Sequence, residues 1–273
     1  MDARDEILTV LVLYEMKLED SPAYQSLSLA LERGQKKSHL FVYDNSALAQ
    51  SPPVTSVWSV CYYHDPTNPG VSRAYNHAAS HAKRYHLKWL LFADQDTSFP
   101  ENIYECYQQS ISTYRDCYVF APQLMDKKGI VSPFQPGAAS GKRLKKITPG
   151  RKSLNGIQVV NSGLMVDRDI FESVGGYDER LRLDFSDFMF FRKLQLRTQH
   201  IVIIDAACKH ELSSTEKISL RSALGRFKIY LQGSSVMGRE ESPVAFAFRA
   251  FLRAIKLSVR YRSIRFIGSF LSS

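Results

Sequence analysis

The chain has 273 residues, of which 44% are hydrophobic and 23% charged, and its formal net charge is +9. This length allows one large domain or two small ones, and the composition is ordinary for a globular protein with a sizeable core. The short apolar runs argue against a transmembrane helix, and the polar, acidic N-terminal residues argue against a signal peptide. Four scattered cysteines without a Cys-x-x-Cys pair predict reduced thiols in a cytoplasmic protein, rather than disulfides or a zinc site.

Apolar strands and amphipathic helices are predicted to alternate through the first hundred residues. A β-branched run begins the pattern at Ile7, and the Ser21-Pro22 pair is a typical helix start. Such alternation predicts an α/β fold, with a parallel, doubly wound sheet and helices on both of its faces. The predicted strands are residues 7–14, 39–43, 57–63 and 87–93, and the predicted helices run from Pro22 to Gly34 and from Val71 to Tyr85.

Shorter elements and one long loop are predicted next. Residues 132–152 form the loop, which is rich in Gly, Pro and Ser and contains six basic residues but no acid. A loop of this length in a compact domain is typically functional or disordered. The remaining predictions are a helix from Pro100, a strand at 117–122, a turn at 126–129, a strand at 159–166, helices at 169–174 and 186–196, and a last strand at 201–204.

The composition changes beyond about Glu216, so we predict a domain at residues 1–215 and a helical, basic extension at 216–273. Residues 242–273 contain six basic residues and no acid. Four of the basic residues are spaced to share one helical face, with apolar residues on the other faces, as is typical of a helix on an anionic membrane surface. The alternative is a helix packed on the domain with its basic face in solvent. The four are Arg249, Arg253, Lys256 and Arg260, and the apolar residues are Phe248, Phe251, Leu252, Ile255 and Val259.

The most informative stretch is Lys88 to Thr97, an apolar strand that ends in Asp94-Gln95-Asp96. In open α/β sheets, ligands bind beyond the carboxyl ends of the strands. Two carboxylates this close repel each other unless a cation lies between them. Hard oxygen ligands suit Mg²⁺ or Mn²⁺ bridging a phosphate-bearing substrate, whereas the alternative is a solvated turn.

Polar residues follow other predicted strands as well. Asp44 could accept hydrogen bonds from a nucleobase or ribose, although Asp-Asn-Ser is also a common turn. Gly70 lets the backbone approach a ligand closely, and the helix after it offers an N-terminal anion site. Asp184 and Asp187 begin a helix, where acids are often only caps, and His210 is either a metal or phosphate ligand or structural. A polar break, Asn161-Ser162-Gly163, interrupts an apolar strand.

Taken together, these motifs resemble the family 2 glycosyltransferases of the GT-A fold, and particularly their bacterial rhamnosyltransferase-like branch. The resemblance covers roughly residues 7–212. It implies a Rossmann-like, mostly parallel central sheet with helices on both faces, followed here by the basic helical extension. The matching segments, in order, are ILTVLVLY, FVYDNS, NPGVSRAYNHA, LLFADQDT and VVNSGLMVDRDIFESVGGYDERLRLDFSDFMFFRKL.

The resemblance implies a metal-dependent, inverting hexosyltransferase that uses a nucleotide-diphosphate sugar, either dTDP-rhamnose or a UDP-sugar. Its acceptor would be a lipid-linked saccharide, in bacterial surface polysaccharide synthesis at the inner face of the cell membrane. Asp187 would be the catalytic base, with Asp184 as the alternative, and Asp94, Asp96 and His210 would hold Mg²⁺ or Mn²⁺. The donor-nucleotide set would be Tyr14, Asp44, Asn68, Gly70, Asn76, Asp94 and Gln95. The acceptor and lid set would be Asn161, Ser162, Gly163, Lys142 and Arg143.

Two departures from the family pattern and two other functions stay open. The helix after Asp187 lacks the usual second acid, and Thr198-Gln199-His200 stands where a Gly-aromatic pair is common. Residues 94–98 also fit loosely the aspartyl-nucleophile motif of haloacid-dehalogenase-like phosphatases, although three strands precede it. The basic segments could instead bind nucleic acid without catalysis, but no nucleic-acid-binding motif is present, and we expect no nucleic-acid partner.

Overall fold

The computed structural model describes residues 6–136, 141–210 and 218–273. In the first half, the predicted alternation of strands and helices is confirmed. The Ser21 hydroxyl caps the first helix by accepting a hydrogen bond from the Tyr24 N–H, with Pro22 at the first helical position. The elements are β1 (Ile7–Leu13), α1 (Pro22–Arg33), β2 (Ser38–Asp44), β3 (Trp58–His64), α2 (Val71–Arg84), β4 (Trp89–Asp94), β5 (Thr97–Ser98) and α3 (Ile103–Thr113).

The second half contains more short strands than the sequence predicts. Three of them, β8 (Phe134–Gln135), β9 (Lys142–Arg143) and β10 (Gly150–Ser153), lie in the basic segment that we expected to be a loop. Leu144 and Ile147, from the part of the segment after residue 140, pack against the core and anchor that part to it. The other elements are β6 (Val119–Asp126), β7 (Gly129–Ser132), β11 (Met165–Asp167), α4 (Arg168–Ser173), α5 (Ser186–Gln195) and β12 (His200–His210).

One mixed sheet with mostly parallel strands forms the centre, in the order β10-β12-β6-β11-β4-β1-β2-β3. The pairs β1–β2, β1–β4, β2–β3 and β6–β12 are parallel, whereas β11 runs antiparallel to both β4 and β6. The short strand β5 pairs with the end of β12, and β7 pairs with β6. The carboxyl ends of β1, β2 and β4 therefore lie side by side at one edge.

Helices cover both faces of the sheet, as the resemblance implies. Successive β1 side chains point to opposite faces, so that Leu11 joins one apolar core and Val10 the other. Helices α1 and α3 cover the first core, and α2, α4 and α5 cover the second. Because β1, β4 and most of β2 are buried on both faces, their sequences read as continuous apolar runs.

Two of the predicted strands have one boundary that is wrong by six residues, for reasons that the geometry makes clear. Of residues 159–166, only the end belongs to β11, because Gly163 adopts φ +77° and Leu164 N–H donates to the Asn161 carbonyl in a turn. The last strand extends to His210, six residues beyond the predicted end. Its second half alternates exposed and buried residues and contains Asp205 and Lys209, so it lacks a continuous apolar run.

The C-terminal extension is helical, as predicted, and consists of α6 (Leu220–Glu240), α7 (Pro243–Tyr261) and α8 (Arg265–Leu271). These helices pack around buried Phe227, Ala254 and Phe266. The predicted domain boundary between residues 215 and 216 lies outside the described residues and stays a prediction. Across the described ranges, none of the helices combines the length and apolarity needed to cross a membrane.

Gly163 is a position where a side chain would clash. A Cβ there would come within 2.5 Å of Pro122 Cγ, whereas a Cβ on Gly175, at a similar φ of +73°, would meet nothing within 4 Å. Both alanine variants take on the left-handed backbone penalty of about 1–2 kcal/mol. Only Gly163→Ala adds an overpacking cost of roughly 1–3 kcal/mol. Urea unfolding should therefore show a larger loss for Gly163→Ala than for its matched control Gly175→Ala, and equal losses would contradict this.

Candidate active site

A chain of hydrogen bonds joins the end of β4 to the end of β12. The Asp94 N–H donates to Ser162 Oγ at 3.0 Å, and the Ser162 hydroxyl donates to Thr97 Oγ1 at 2.8 Å. Thr97 Oγ1 in turn shares a 2.8 Å hydrogen bond with His210 Nδ1, because β5 pairs with β12 at this residue. Segments far apart in sequence thereby converge on Asp94.

Asp94, Asp96 and His210 form a cluster that could hold a metal ion. One ligand atom from each residue lies within 4.8 Å of the others, and His210 Nδ1 is 3.6 Å from Asp96 Oδ1. Two carboxylate oxygens and an imidazole nitrogen suit a divalent cation such as Mn²⁺ or Mg²⁺. The three residues predicted to bind metal are thus brought together and fit such an ion.

The carboxyl group of Asp94 lies in a strongly perturbed environment. Burial, followed by the negative charge of Asp96, raises the pKa of Asp94 to about 6. The Tyr75 hydroxyl lies 3.4 Å from its Oδ1. A carboxyl whose pKa is raised by a neighbouring carboxylate is typical of sites where a cation or a proton offsets the repulsion.

Asp187, in the first turn of α5, lies close enough to Asp94 for both charges to act on the Tyr177 hydroxyl. Burial raises the pKa of Asp187 to about 6, and the charge of Asp184 adds to the shift, although the Phe188 N–H donates to Asp187 Oδ1 at 2.8 Å. The charge of Asp187 also contributes to the raised pKa of Asp94, so the two carboxylates repel each other. A carboxylate with a pKa near neutrality is suited to accepting a proton.

Asp184 has a different partner, which comes from the C-terminal extension. The Arg253 guanidinium lies 3.4 Å from Asp184 Oδ1 and 3.8 Å from the ring centre of Tyr230. Arg253 therefore points toward the domain, although the sequence places it on one face with three other basic residues. Asp184 is held in an ion pair with Arg253. Over the described residues, no cation contributes to the pKa shift of Asp187.

The extension also supports the backbone that begins α5. Phe185, the N-cap residue, adopts a left-handed conformation with φ +69°, which a bulky residue rarely does. Its ring packs against Tyr230 at 5.2 Å and Phe246 at 5.7 Å between ring centres. A Cβ on Gly233 would approach the Phe185 ring to 3.0 Å, so close packing of α6 stabilises this strained residue.

Three predicted donor-binding residues lie at the ends of β1, β2 and β4. Tyr14 and Gln95 bond each other, since the Tyr14 N–H donates to Gln95 Oε1 at 2.8 Å. Asp44 is buried and accepts hydrogen bonds from Ser46 N–H and from the Gln50 and Tyr62 side chains. Burial acts to raise the pKa of Asp44, but these hydrogen bonds together leave it below its ordinary value. Their contact with a nucleotide stays a prediction.

The segment from Asn68 to Asn76 makes internal contacts that the sequence does not reveal. The Val71 N–H at the start of α2 donates to the Arg182 carbonyl at 2.8 Å, and a Cβ on Gly70 would collide with the same carbonyl. Arg182 also donates to the Asn68 carbonyl. The Asn76 side chain is bonded to the backbone N–H and carbonyl of Tyr177. These contacts give Gly70 and Asn76 a structural role, and their predicted nucleotide contact stays untested.

The predicted acceptor and lid residues separate into two places. Ser162 supports Asp94, and Asn161 Oδ1 accepts a hydrogen bond from the Tyr177 hydroxyl at 2.7 Å. Arg143 instead forms two hydrogen bonds with Asp126, at 2.7 and 2.6 Å, which lower the pKa of that carboxyl to about 2. Lys142 is exposed beside it. The role of Lys142 and Arg143 in a lid stays a prediction.

Three site residues received no role from the sequence, namely Thr97, Tyr75 and Tyr177. Thr97 bridges Ser162 and His210, and its β-branched side chain after the turn could have indicated a strand. Tyr75 and Tyr177 pack their rings 4.9 Å apart beneath the two perturbed carboxylates. The position of Tyr75 on the alanine-rich inner face of α2 was a signal of burial, but the sequence did not show what it would meet.

No protein-family model matches the chain, and no curated protein matches it by sequence. Among solved structures, the chain is similar to TarS, a glycosyltransferase of S. aureus. With residues 1–349 of TarS it shares 14% identity at a TM-score of 0.54, covering 90% of this chain and 72% of that one. The chain has a glycosyltransferase-like fold.

Two further TarS structures contain ligands. The complex with UDP matches at 13% identity and a TM-score of 0.54, covering 84% of this chain and 65% of that one. The complex with UDP-GlcNAc matches at 13% identity and a TM-score of 0.53, covering 97% and 80%. This chain spans 43% of the longer TarS chain. The likeness shows the fold, and the rhamnosyltransferase-like branch stays a prediction.

The raised pKa of Asp187 has a consequence for stability. A carboxyl whose pKa rises to about 6 on folding binds its proton more tightly in the folded state, so its ionisation destabilises the protein as pH rises from about 4 to 6. Asp187→Asn retains an acceptor for the Phe188 N–H without the charge. We expect its free energy of unfolding at about pH 8 to exceed that of the wild type by roughly 1–2 kcal/mol, with a smaller gain at about pH 4.

Asp178→Asn is a control that should change the free energy of unfolding in the opposite direction. Hydrogen bonds from Arg180 hold the pKa of Asp178 below its ordinary value, so removing that carboxylate should destabilise the protein at about pH 8. Thermal or urea unfolding of both variants at the two pH values provides the comparison. A destabilised Asp187→Asn protein at the higher pH would contradict the interpretation of a buried, electrostatically unfavourable carboxylate.

Proposed function

We propose that this protein is an inverting glycosyltransferase that moves a sugar from a nucleotide-diphosphate sugar to a saccharide acceptor. One observation carries the proposal: the cluster of Asp94, Asp96 and His210 lies close enough to Asp187 for the Asp187 charge to raise the pKa of Asp94. The glycosyltransferase-like fold supports it, and the TarS complexes with UDP and UDP-GlcNAc support a nucleotide-sugar donor.

The metal-compatible cluster would act on the departing diphosphate. Asp94, Asp96 and His210 would hold Mg²⁺ or Mn²⁺, which would supply Lewis-acid stabilisation of the negative charge on that leaving group. The protein's own part is to hold these ligands in place. Ser162 and Thr97 do so through the hydrogen bonds that connect the Asp94 backbone with the His210 ring.

Asp187 would be the general base. The acceptor hydroxyl loses its proton to the Asp187 carboxylate while its oxygen forms a bond to the anomeric carbon, and the bond from that carbon to the diphosphate oxygen breaks. A single displacement of this kind inverts the configuration at that carbon. Asp187 is better suited to this role than Asp184, because the pKa of Asp187 is raised and because Asp184 is paired with Arg253.

The finer identity of donor and acceptor also belongs to the proposal. The donor is a UDP-sugar or dTDP-rhamnose, and the UDP complexes of TarS are the only support for uridine. The acceptor is a lipid-linked saccharide at the inner face of the cell membrane, in bacterial surface polysaccharide synthesis. Neither the phosphatase nor the nucleic-acid alternative receives support from the fold likeness.

Binding and turnover with a metal and a donor test the proposal. We expect UDP or dTDP together with Mn²⁺ to raise the melting temperature, and a screen of UDP-, dTDP- and GDP-sugars to identify one donor that is hydrolysed or transferred. Asp96→Asn should lower kcat/KM about a hundredfold or more and remove the metal-dependent stabilisation. Asp169→Asn, an exposed acid on α4, should leave both unchanged.

The same measurements distinguish the competing functions. Metal-dependent hydrolysis of p-nitrophenyl phosphate, without any activity on a nucleotide sugar, would favour the phosphatase. If no nucleotide binds with metal, and if Asp96→Asn behaves like Asp169→Asn, the glycosyltransferase proposal is wrong.

The pH dependence of kcat tests the base. A carboxyl with a pKa of about 6 must be ionised to accept a proton, so kcat should fall below that pH, reaching about a tenth of its plateau one pH unit lower. Asp187→Asn should lower kcat by about a hundredfold or more. Asp184→Asn should keep the fall in kcat at low pH, the acidic limb of the profile, and should lose less activity than Asp187→Asn. If Asp184→Asn instead shows the larger loss and removes the limb, Asp184 is the base.

A further inference from the structure

The outward side of α7 is apolar and includes the residues that the sequence places beside its basic face. The helix buries Phe246, Ala250 and Ala254 against the other helices. Its opposite side exposes a row of large apolar side chains, with Phe248 60% and Val259 74% exposed. We call this row the outer stripe, and its members are Val244, Phe248, Phe251, Leu252, Ile255 and Val259.

A row of cations borders the outer stripe along one side. Phe248, Leu252, Ile255 and Val259 are spaced by four, three and four residues, and so are the basic residues that each follow them by one position. At about 100° per residue, the two rows run side by side along the helix. Arg253 turns inward to Asp184. The bordering row therefore consists of exposed Lys256 and Arg260 and of half-buried Arg249, whose guanidinium lies over the Phe246 ring.

We propose that the outer stripe and its three bordering cations are a docking surface for an anionic lipid bilayer. A helix with one apolar side and an adjoining cationic row lies in the plane of the interface, with its apolar side chains among the acyl chains and its cations at the head groups. Helices α7 and α8 contain no acidic residue to oppose contact with anionic lipid.

Charge complementarity favours a bilayer over a second copy of this chain. A symmetric dimer through the outer stripe would bring the same three cations of each copy to one interface, and α7 and α8 offer no carboxylate to neutralise them. An anionic membrane neutralises all three at once. The chain's net charge of +9 adds a long-range attraction to such a membrane and a repulsion between copies.

The docking surface is close to the proposed catalytic base. Arg253, on the inner side of α7, contacts Asp184, and Phe246 contacts Phe185, three and two residues before Asp187. A helix is about 10 Å thick, so docking would hold the start of α5 roughly one helix diameter from the head groups. Delivery of a lipid-linked acceptor hydroxyl there rests on the proposed function, whereas the docking itself does not.

Sedimentation with vesicles tests the docking surface. The wild-type protein should bind vesicles of phosphatidylcholine with phosphatidylglycerol, bind vesicles of phosphatidylcholine alone much less, and release at high salt. Phe248→Ser/Leu252→Ser should weaken partition by about tenfold or more, because both side chains leave the acyl region. Val54→Ser/Leu196→Ser, which removes exposed apolar side chains elsewhere, should bind like the wild type.

A second variant with a matched control tests the cationic row. Lys256→Glu/Arg260→Glu should lower partition into the anionic vesicles by about tenfold or more. Lys127→Glu/Lys128→Glu makes the same charge change at the exposed turn after β6 and should have a smaller effect. Melting curves and donor hydrolysis confirm that each variant is folded.

Several results would overturn the docking surface. It is contradicted if the wild-type protein does not bind anionic vesicles, or if Phe248→Ser/Leu252→Ser binds them as well as its control does. Concentration-dependent dimerisation that Phe248→Ser/Leu252→Ser abolishes, without vesicle binding, would assign the stripe to a second copy. Vesicle binding needs neither donor nor acceptor. Failure of the wild-type protein to bind anionic vesicles while donor hydrolysis is intact therefore contradicts only this inference. Vesicle binding without any activity on nucleotide sugars contradicts only the proposed function.

Discussion

The hydroxyl of Ser162 is the contact on which the candidate site depends. It accepts a hydrogen bond from the Asp94 N–H and donates one to Thr97 Oγ1, which in turn is hydrogen-bonded to His210. A single small side chain thereby connects the end of β4, the turn before β11, and the β5–β12 pair. Were this hydroxyl absent, the half-buried Asp94 N–H would lose its partner. The Thr97–His210 hydrogen bond and the pairing of β5 with β12 would then be the contacts left between the two strand ends.

The second constraint is the strained start of α5. Phe185 holds a left-handed backbone at the residue that caps the helix carrying Asp187, and such strain persists only when the surroundings over-determine it. Here the surroundings are the rings of Tyr230 and Phe246, both from the C-terminal extension. The extension is therefore part of the support for the site, and the division at about residue 216 separates composition more clearly than it separates function.

Much of the fold follows from the sequence because the central strands are buried on both faces. A strand covered on two sides is a continuous apolar run, and β1, β2 and β4 were found in that way. The prediction failed where burial is one-sided or where the backbone turns. The second half of β12 is half exposed, and residues 159–164 turn at a glycine with positive φ, so apolarity alone set both boundaries wrongly.

The candidate site could be predicted in its chemistry but not in its connections. The carboxylates at strand ends and the late histidine are visible in the sequence, and the structure brings Asp94, Asp96 and His210 together. The partners of Gly70, Asn76 and Arg253 are not visible, because each depends on a contact between segments about 70 to 110 residues apart. Arg253 is the clearest case, since helical spacing placed it among the solvent-facing cations whereas Asp184 and Tyr230 turn it inward.

The two perturbed carboxyls show how stability and proposed chemistry oppose each other here. Asp94 and Asp187 are both surrounded by protein that disfavours their ionised forms, and a neighbouring charge, Asp96 and Asp187 for Asp94 and Asp184 for Asp187, raises each pKa further. The aromatic packing beneath them offsets part of this cost, since Tyr75 contacts Phe92 and Tyr177, and Tyr177 stacks on Phe190 at 4.1 Å. A core rich in fully buried aromatic rings can thus hold two carboxylates where a proton acceptor and a cation site require them.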